Sequence, residues 1–247
     1  MWGSALGLLV GTALATPLLA HPEAGREKLR VRVVTGGHAF ERGPFFALFD
    51  SLEGIAWQEA PHPHANLIYR PEERNGYDVV VLYDMPRTMP EADQANFLHT
   101  LAAGKGLVVL HHALCAYQGW PEYRRVTGGC YFTVEEEFAG KRWPKSTYHH
   151  DLSLRVTVAD PSHPVTRGVS NFQIVDEAYG GCWVSPDVHP LLKTDHPLST
   201  PLVGWVVPHP QARIVTLTLG HGPTAYANAA FRTLLQQAIW WAGRRDP

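Results

Sequence analysis

The feature that most constrains this chain is a series of short apolar segments, each followed by a stretch with helical punctuation. YDVVVLYD (77–84) and GLVVLHHA (106–113) are continuous apolar runs, too short for independent helices and typical of strands buried on both faces. LRVRVVTG (29–36) alternates and ends at Gly36-Gly37, which marks a strand and its turn. PFFALFDSLEG (44–54) opens on Pro and closes on Gly. PEADQANFLHTLAAG (90–104) adds acids in its first turn. Both read as helices, and WPEYRRVTGG (120–129) reads as a third. Strand followed by helix, three times over, predicts an α/β fold: a parallel sheet with helices on both faces. RIVTLTLG (213–220) supplies a further strand. NAAFRTLLQQAIWWAGR (228–244) supplies a closing helix, with Phe231, Leu234, Leu235, Ala238, Ile239 and Trp241 on one stripe.

Between Cys130 and about Thr200 the pattern breaks. Prolines are frequent and the alternating runs are short, such as LSLRVTVA (152–159) and FQIVDEAY (172–179). This reads as an irregular, strand-rich insertion with edge or antiparallel strands. No internal repeat or low-complexity linker divides the chain, so residues 29–247 are expected to form a single domain. Ahead of it, Ala5 to Ala20 is uncharged and apolar, ends in a small residue and is followed by polar sequence. That predicts a signal peptide over 1–20 and export to the periplasm or the exterior. The run is too short for a stable membrane span, which needs about 20 apolar residues.

A net charge of −2 gives no nucleic-acid surface. The 14 histidines and 3 cysteines exclude a disulfide scaffold and raise metal binding or acid–base chemistry. In open α/β sheets ligands bind beyond the carboxyl ends of the strands. Four strands deliver His or Asp to that rim: His38 after the first, Asp84 at the end of YDVVVLYD, His111-His112 after GLVVL, and His221 between Gly220 and Gly222. The middle segment adds His149-His150-Asp151 and Asp176-Glu177. Imidazoles with carboxylates are ingredients for proton transfer, and for a divalent metal such as Zn²⁺ or Mn²⁺. No HExxH, CxxC or EF-hand spacing occurs, so a metal would be held by distant segments, with His38, His112 and His221 as the candidate ligands. Neither GxGxxG nor GxxxxGK[ST] is present, which leaves a nucleotide cofactor without support, and no GxSxG elbow occurs. Cys115, just past the histidine pair, is a candidate nucleophile or a packed thiol; no spacing selects a disulfide among Cys115, Cys130 and Cys182. Aromatics gather in the irregular half: Trp120, Tyr123, Tyr131, Trp143, Tyr148, Tyr179, Trp183 and Trp205. Some would be core, others a platform for the apolar face of a sugar ring.

Several strings together carry a resemblance: VVTGGHAF (33–40), YDVVVLYDMP (77–86), GKGLVVLHHALCAYQGWPEY (104–123), HPVTRGV (163–169), FQIVDEAYGG (172–181), LLKTDHP (191–197) and LGHGPTAYANAAFRTLLQQAIWWA (219–242). In order and spacing the chain resembles the ThuA-like family, named for trehalose utilisation, over residues 29–244. The resemblance implies a flavodoxin-like sheet similar to class I glutamine amidotransferases, and a theme of carbohydrate metabolism beside dehydrogenases that make 3-keto sugars. Amidotransferases place a Cys directly after the strand equivalent to GLVVL. Here His111-His112 stand there, which counts against a thiol glutaminase.

The expectation is then an enzyme acting on a sugar or keto-glycoside, a lyase, hydrolase or isomerase. His112 and His150 are the candidate bases and Glu177 the carboxylate that orients an imidazole or ligates the metal. Asp84, His111, Tyr179 and Trp183 are the candidate substrate-binding residues. The expected partner is a small-molecule carbohydrate, with a functional link to a sugar dehydrogenase. The alternatives are a non-catalytic sugar-binding or accessory protein and, further off, a cysteine hydrolase built on Cys115.

Overall fold

A computed structural model describes Met1 and residues 27–245; the signal-peptide expectation over 1–20 falls almost entirely outside those residues. The first half runs β1 (Leu29–Gly36), α1 (Arg42–Asp50), β2 (Ile55–Pro61), β3 (Val79–Asp84), α2 (Glu91–Ala102), β4 (Gly106–Leu110) and α3 (Pro121–Thr127). The second runs β5 (Gly129–Cys130), β6 (Glu136–Phe138), β7 (Lys141–Trp143), β8 (Thr147–Val158), β9 (Phe172–Gly180), β10 (Trp183–Val184), β11 (His189–Thr194), β12 (Leu202–Val207), β13 (Ile214–Leu217), α4 (Pro223–Ala227) and α5 (Ala229–Ala242).

Nine strands form one sheet in the order β2-β1-β3-β4-β13-β12-β11-β8-β9. The first five in that order pair in parallel. From β13 onward every pairing is antiparallel. The sheet is therefore mixed rather than wholly parallel, and the long strands of the irregular half extend it. The short β5 and β10 pair with each other, as do β6 and β7.

Alternation along the strands divides the apolar residues between the two faces. Val79, Val81 and Tyr83 of β3 pack with Phe45 and Phe49 of α1 and with Phe231, Leu235 and Ile239 of α5. Val80 and Leu82 of the same strand pack on the other side with Phe97 and Leu101 of α2 and Tyr123 of α3. Helices thus cover both faces, as the alternation of elements in the sequence predicts. The closing helix is capped by Asn228, whose side chain accepts the Phe231 N–H at 3.1 Å.

Two boundaries differ from the sequence reading for physical reasons. Helix α1 begins at Arg42, ahead of Pro44, because a proline in the first turn gives up an N–H that has no helical partner anyway. Strand β4 stops at Leu110, because His111 turns into a left-handed conformation (φ 50°) and opens a 3-10 turn over His111–Cys115. Among the described residues no helix is long and apolar enough to cross a membrane.

Candidate functional site

The parallel strands bring histidines to the site through turns. Gly37 takes φ 78°, and a Cβ there would sit 2.5 Å from the Met85 carbonyl carbon, so only glycine lets the turn pass close enough to present His38. Gly220, at φ 106°, does the same for His221: a Cβ would lie 2.7 Å from the Phe231 ring. His111 occupies its left-handed position without glycine's freedom, a local strain of roughly 1–3 kcal/mol that the surrounding contacts must hold. Those contacts are specific. The His111 Nδ1–H donates to the Thr218 carbonyl at 2.8 Å, which leaves Nε2 as the acceptor for the Tyr179 hydroxyl at 2.9 Å.

The antiparallel strands bring their groups from within. Tyr148 and His150 on β8, and Glu177 and Tyr179 on β9, each stand two residues apart. A register shift between His149 and Leu152, with Asp151 at φ 55°, swings His150 onto Glu177. His150 Nδ1 lies 2.7 Å from Glu177 Oε2. The same carboxylate lies 3.4 Å from His111 Nε2 and 3.8 Å from His221 Nε2. Burial alone would raise the Glu177 carboxyl, but the His111, His221 and His150 rings outweigh it and hold it below the usual range. Its neighbour Asp176 is spent on structure. It accepts the N–H groups of Gly220 at 2.6 Å and His221 at 2.9 Å, which tie β9 to the turn carrying His221.

His112 is the outlier. It is 2% exposed, and neither ring nitrogen has a hydrogen-bond partner. Its ring centroid lies 4.6 Å from that of His38, whose Nδ1 is also buried and unpartnered. Burial, then the neighbouring His111 and His38, push the His112 imidazole well below the ordinary histidine range, so it stands as the free base at neutral pH. Both His112 and His38 open onto a pocket of about 300 Å³ shared with Tyr131, Tyr148, His150, Glu177 and Tyr179. A second pocket of about 210 Å³, lined by Glu41, Asp151, Asp176 and His221, lies across the same His150–Glu177 pair.

The structure gathers His38, His111, His112, His150, Glu177, Tyr179 and His221 into this site and leaves two of the sequence candidates out. Asp84 is fully buried: its Oδ2 accepts from the Tyr117 hydroxyl at 3.0 Å and pairs with His62 Nε2 at 2.9 Å, so it anchors the rim from behind. Trp183 packs edge-on to Phe138 at 4.8 Å in a separate small core and does not line the pocket. The metal-ligand trio also changes. His111, Glu177 and His221 place one donor atom each within 4.8 Å of one another, the geometry of a site that could hold an ion. His221 was expected, as was Glu177 in the role of carboxylate ligand; His111 stands where His38 and His112 were expected. The donor set fits Zn²⁺, and the Thr218 carbonyl fixes the His111 tautomer as such sites require. All three cysteines are buried and free, and burial pushes the Cys115 thiol well up, away from the thiolate a nucleophile needs.

Sequence reasoning missed His62, whose adjoining Pro63 gives it the look of a loop residue, and assigned no role to Tyr117. The signal that would have found Tyr148 as a site residue is the matched alternation Tyr148-x-His150 and Glu177-x-Tyr179, which puts all four on one sheet face.

These features define a class: an α/β protein whose histidine-bearing strand ends converge on one buried carboxylate. Residues 55–242 match the family model ThuA, described as trehalose utilisation, and the chain belongs to that family. Among curated proteins none matches. A ThuA-like protein from Parabacteroides merdae has a similar structure, with a TM-score of 0.71 at 18% identity over 88% of this chain and 90% of that one. Another ThuA-like protein, from Bacteroides uniformis, gives 0.64 at 18% identity over 90% and 94%. A cytoplasmic protein of Salmonella typhimurium gives 0.60 at 12% identity over 87% and 99%. At these identities the likeness is one of fold.

Proposed function

We propose that this chain is an enzyme of carbohydrate metabolism that moves a proton on a sugar or keto-glycoside. The observation that carries the reading is His112: a buried imidazole with both nitrogens unpaired, facing the same pocket as the His150–Glu177 pair. A buried polar group without a partner costs about 1–3 kcal/mol, so it asks for one supplied by a ligand.

The division of labour follows from the geometry. His112, kept neutral by burial, takes a proton from the carbon beside a carbonyl. His150, half exposed and held by Glu177, exchanges its proton with solvent and returns one to the oxygen on the opposite side. The Thr218 carbonyl and the Tyr179 hydroxyl fix the His111 ring, whose Nε2 lies 3.4 Å from the Glu177 carboxylate, and His150 Nδ1 at 2.7 Å is that carboxylate's close imidazole partner. His111, Glu177 and His221 would hold a divalent ion, Zn²⁺ or Mn²⁺, which when bound polarises a substrate carbonyl. The reading calls for no nucleotide cofactor. A sugar dehydrogenase producing the keto-sugar fits as a functional partner, and export remains part of the proposal.

Incubation of the purified chain with trehalose, cellobiose and their 3-keto forms, followed by chromatography of the products, tests the reading. Turnover should fall by about 10²–10⁴ in His112→Ala and in His150→Ala, with the circular dichroism unchanged. Full activity in both variants would refute the assignment.

A further inference from the structure

We propose that Tyr148 is the stacking platform of the larger pocket, on which a pyranose ring lies with one C–H turned toward His112. This rests on the carbohydrate reading above and identifies the residue that decides which ring enters.

Among the eight aromatics that cluster between Trp120 and Trp205, Tyr148 is the exposed one, at 57%. The others have structural employment. Trp120 and Tyr123 stack on each other, Trp143 stacks on Phe132, and Trp205 donates to the Thr127 carbonyl. Tyr131 donates to the Ser146 carbonyl, and Tyr179 is tied to His111. Tyr148 has no hydrogen bond from its hydroxyl among the described residues, and its ring meets only His150, at 5.4 Å and 71°. A large aromatic left in water, with neither a core to join nor a partner for its hydroxyl, has little structural employment beyond its cross-strand place opposite Tyr179.

Its placement is fixed. Tyr148 pairs with Tyr179 across β8 and β9, and it stands two residues from His150 on the same face. The platform is therefore held in register with the His150–Glu177 pair and opens onto the pocket floored by His112 and His38. A pyranose suits this arrangement better than a flat heteroaromatic. One face carries C–H groups that pack on the aromatic ring, while its edge carries hydroxyls that can satisfy the unpartnered nitrogens of His112 and His38.

The test is calorimetric titration with trehalose, cellobiose, their 3-keto forms and adenosine. It uses the wild-type chain, Tyr148→Ala and Tyr148→Phe, and Tyr148→Ala in a His112→Ala background. Expected is a roughly three- to tenfold loss of sugar affinity in Tyr148→Ala, in both backgrounds, with Tyr148→Phe restoring binding because it keeps the ring. In turnover the loss should fall on KM rather than kcat. Sugar binding that is equal in Tyr148→Ala and wild type overturns the platform while leaving the enzymatic reading standing. Sugar binding that depends on Tyr148 without any turnover supports the platform and removes the enzyme. Binding of adenosine in preference to every sugar, or of no sugar at all by the wild-type chain, overturns both.

Discussion

Three of the five parallel strands, β1, β4 and β13, deliver histidines from turns beyond their ends, whereas the antiparallel strands deliver His150 from a position inside β8. His38, His111, His112 and His221 owe their placement to backbone conformations at Gly37, His111 and Gly220. Tyr148, His150, Glu177 and Tyr179 owe theirs to alternation along β8 and β9, corrected by one bulge. The first half supplies imidazoles set into a buried floor. The second supplies the carboxylate and the aromatic that face them. In this reading the base, His112, comes from the parallel half and the acid, His150 held by Glu177, from the antiparallel half, so the site exists only where the two meet.

The sharpest way to break this contrast is to disable one half chemically and leave its shape. Glu177→Gln removes the charge that His111, His150 and His221 share, with nearly the same volume. Turnover should fall by about 10²–10⁴, measured with the same product assay as for the histidine variants. A variant that keeps wild-type turnover would show that the carboxylate is dispensable and that the imidazoles suffice.

The halves should differ in mechanical tolerance as well. Leu110, fully buried where β4 ends, belongs to the core immediately before His111. Leu110→Ala should cost about 2–5 kcal/mol in urea denaturation. Val175 on β9 is 40% exposed, and Val175→Ala should stay within about 0.5 kcal/mol. Equal losses would erase the distinction between a rigid floor and a tolerant wall.

Metal affinity sharpens the comparison further, because the trio His111, Glu177 and His221 draws on both halves. Zn²⁺ titration should show Glu177→Gln weaker by at least about tenfold, while His38→Ala stays within about twofold. The opposite ranking would return the site to the parallel half alone.

The smallest effect is electrostatic. In the antiparallel half Asp160 accepts from Ser162 and pairs with His189 at 2.8 Å, and its carboxyl is lowered to about 2, first by the Ser162 side chain and then by His189. A carboxyl lowered on folding stabilises the folded state above its unfolded value, near 3.9, and loses that contribution as pH falls toward about 2. The Asp160 side chain is 24% exposed and its His189 partner 51%, so solvent screens the pair and the effect is small. Denaturation midpoints of wild type and Asp160→Asn should differ slightly above pH 4 and converge as pH falls to about 2.

The same contrast explains what the sequence made legible. Strands β3 and β4 announce themselves because burial on both faces demands continuous apolar runs, β1 by alternation that ends at a glycine pair and β13 by its β-branched run, and Gly and Pro punctuate the helices between them. β2, an edge strand with the mixed sequence IAWQEAP, carries no such demand. The strand-end rule pointed to His38, His111, His112 and His221, because it depends only on strand polarity. It misjudged Asp84, whose carboxylate is taken by His62 and Tyr117, since tertiary pairing across 22 and 33 residues leaves no local trace. It named His38 and His112 beside His221 as ligands where His111 stands closer to Glu177, because which strand-end imidazole meets the carboxylate depends on the long-range registry of β9, which periodicity does not encode. Trp183 reads as a sugar platform by composition, and only packing against Phe138 reveals it as core.

Nitrogen-detected NMR of the imidazoles across pH 5–8 tests the central claim most directly, that His112 is a free base held in the pocket floor. His112 should titrate clearly below the ordinary histidine value of about 6.5, with both nitrogens showing the neutral form at neutral pH. A His112 that protonates at or above that value would contradict its role as the base.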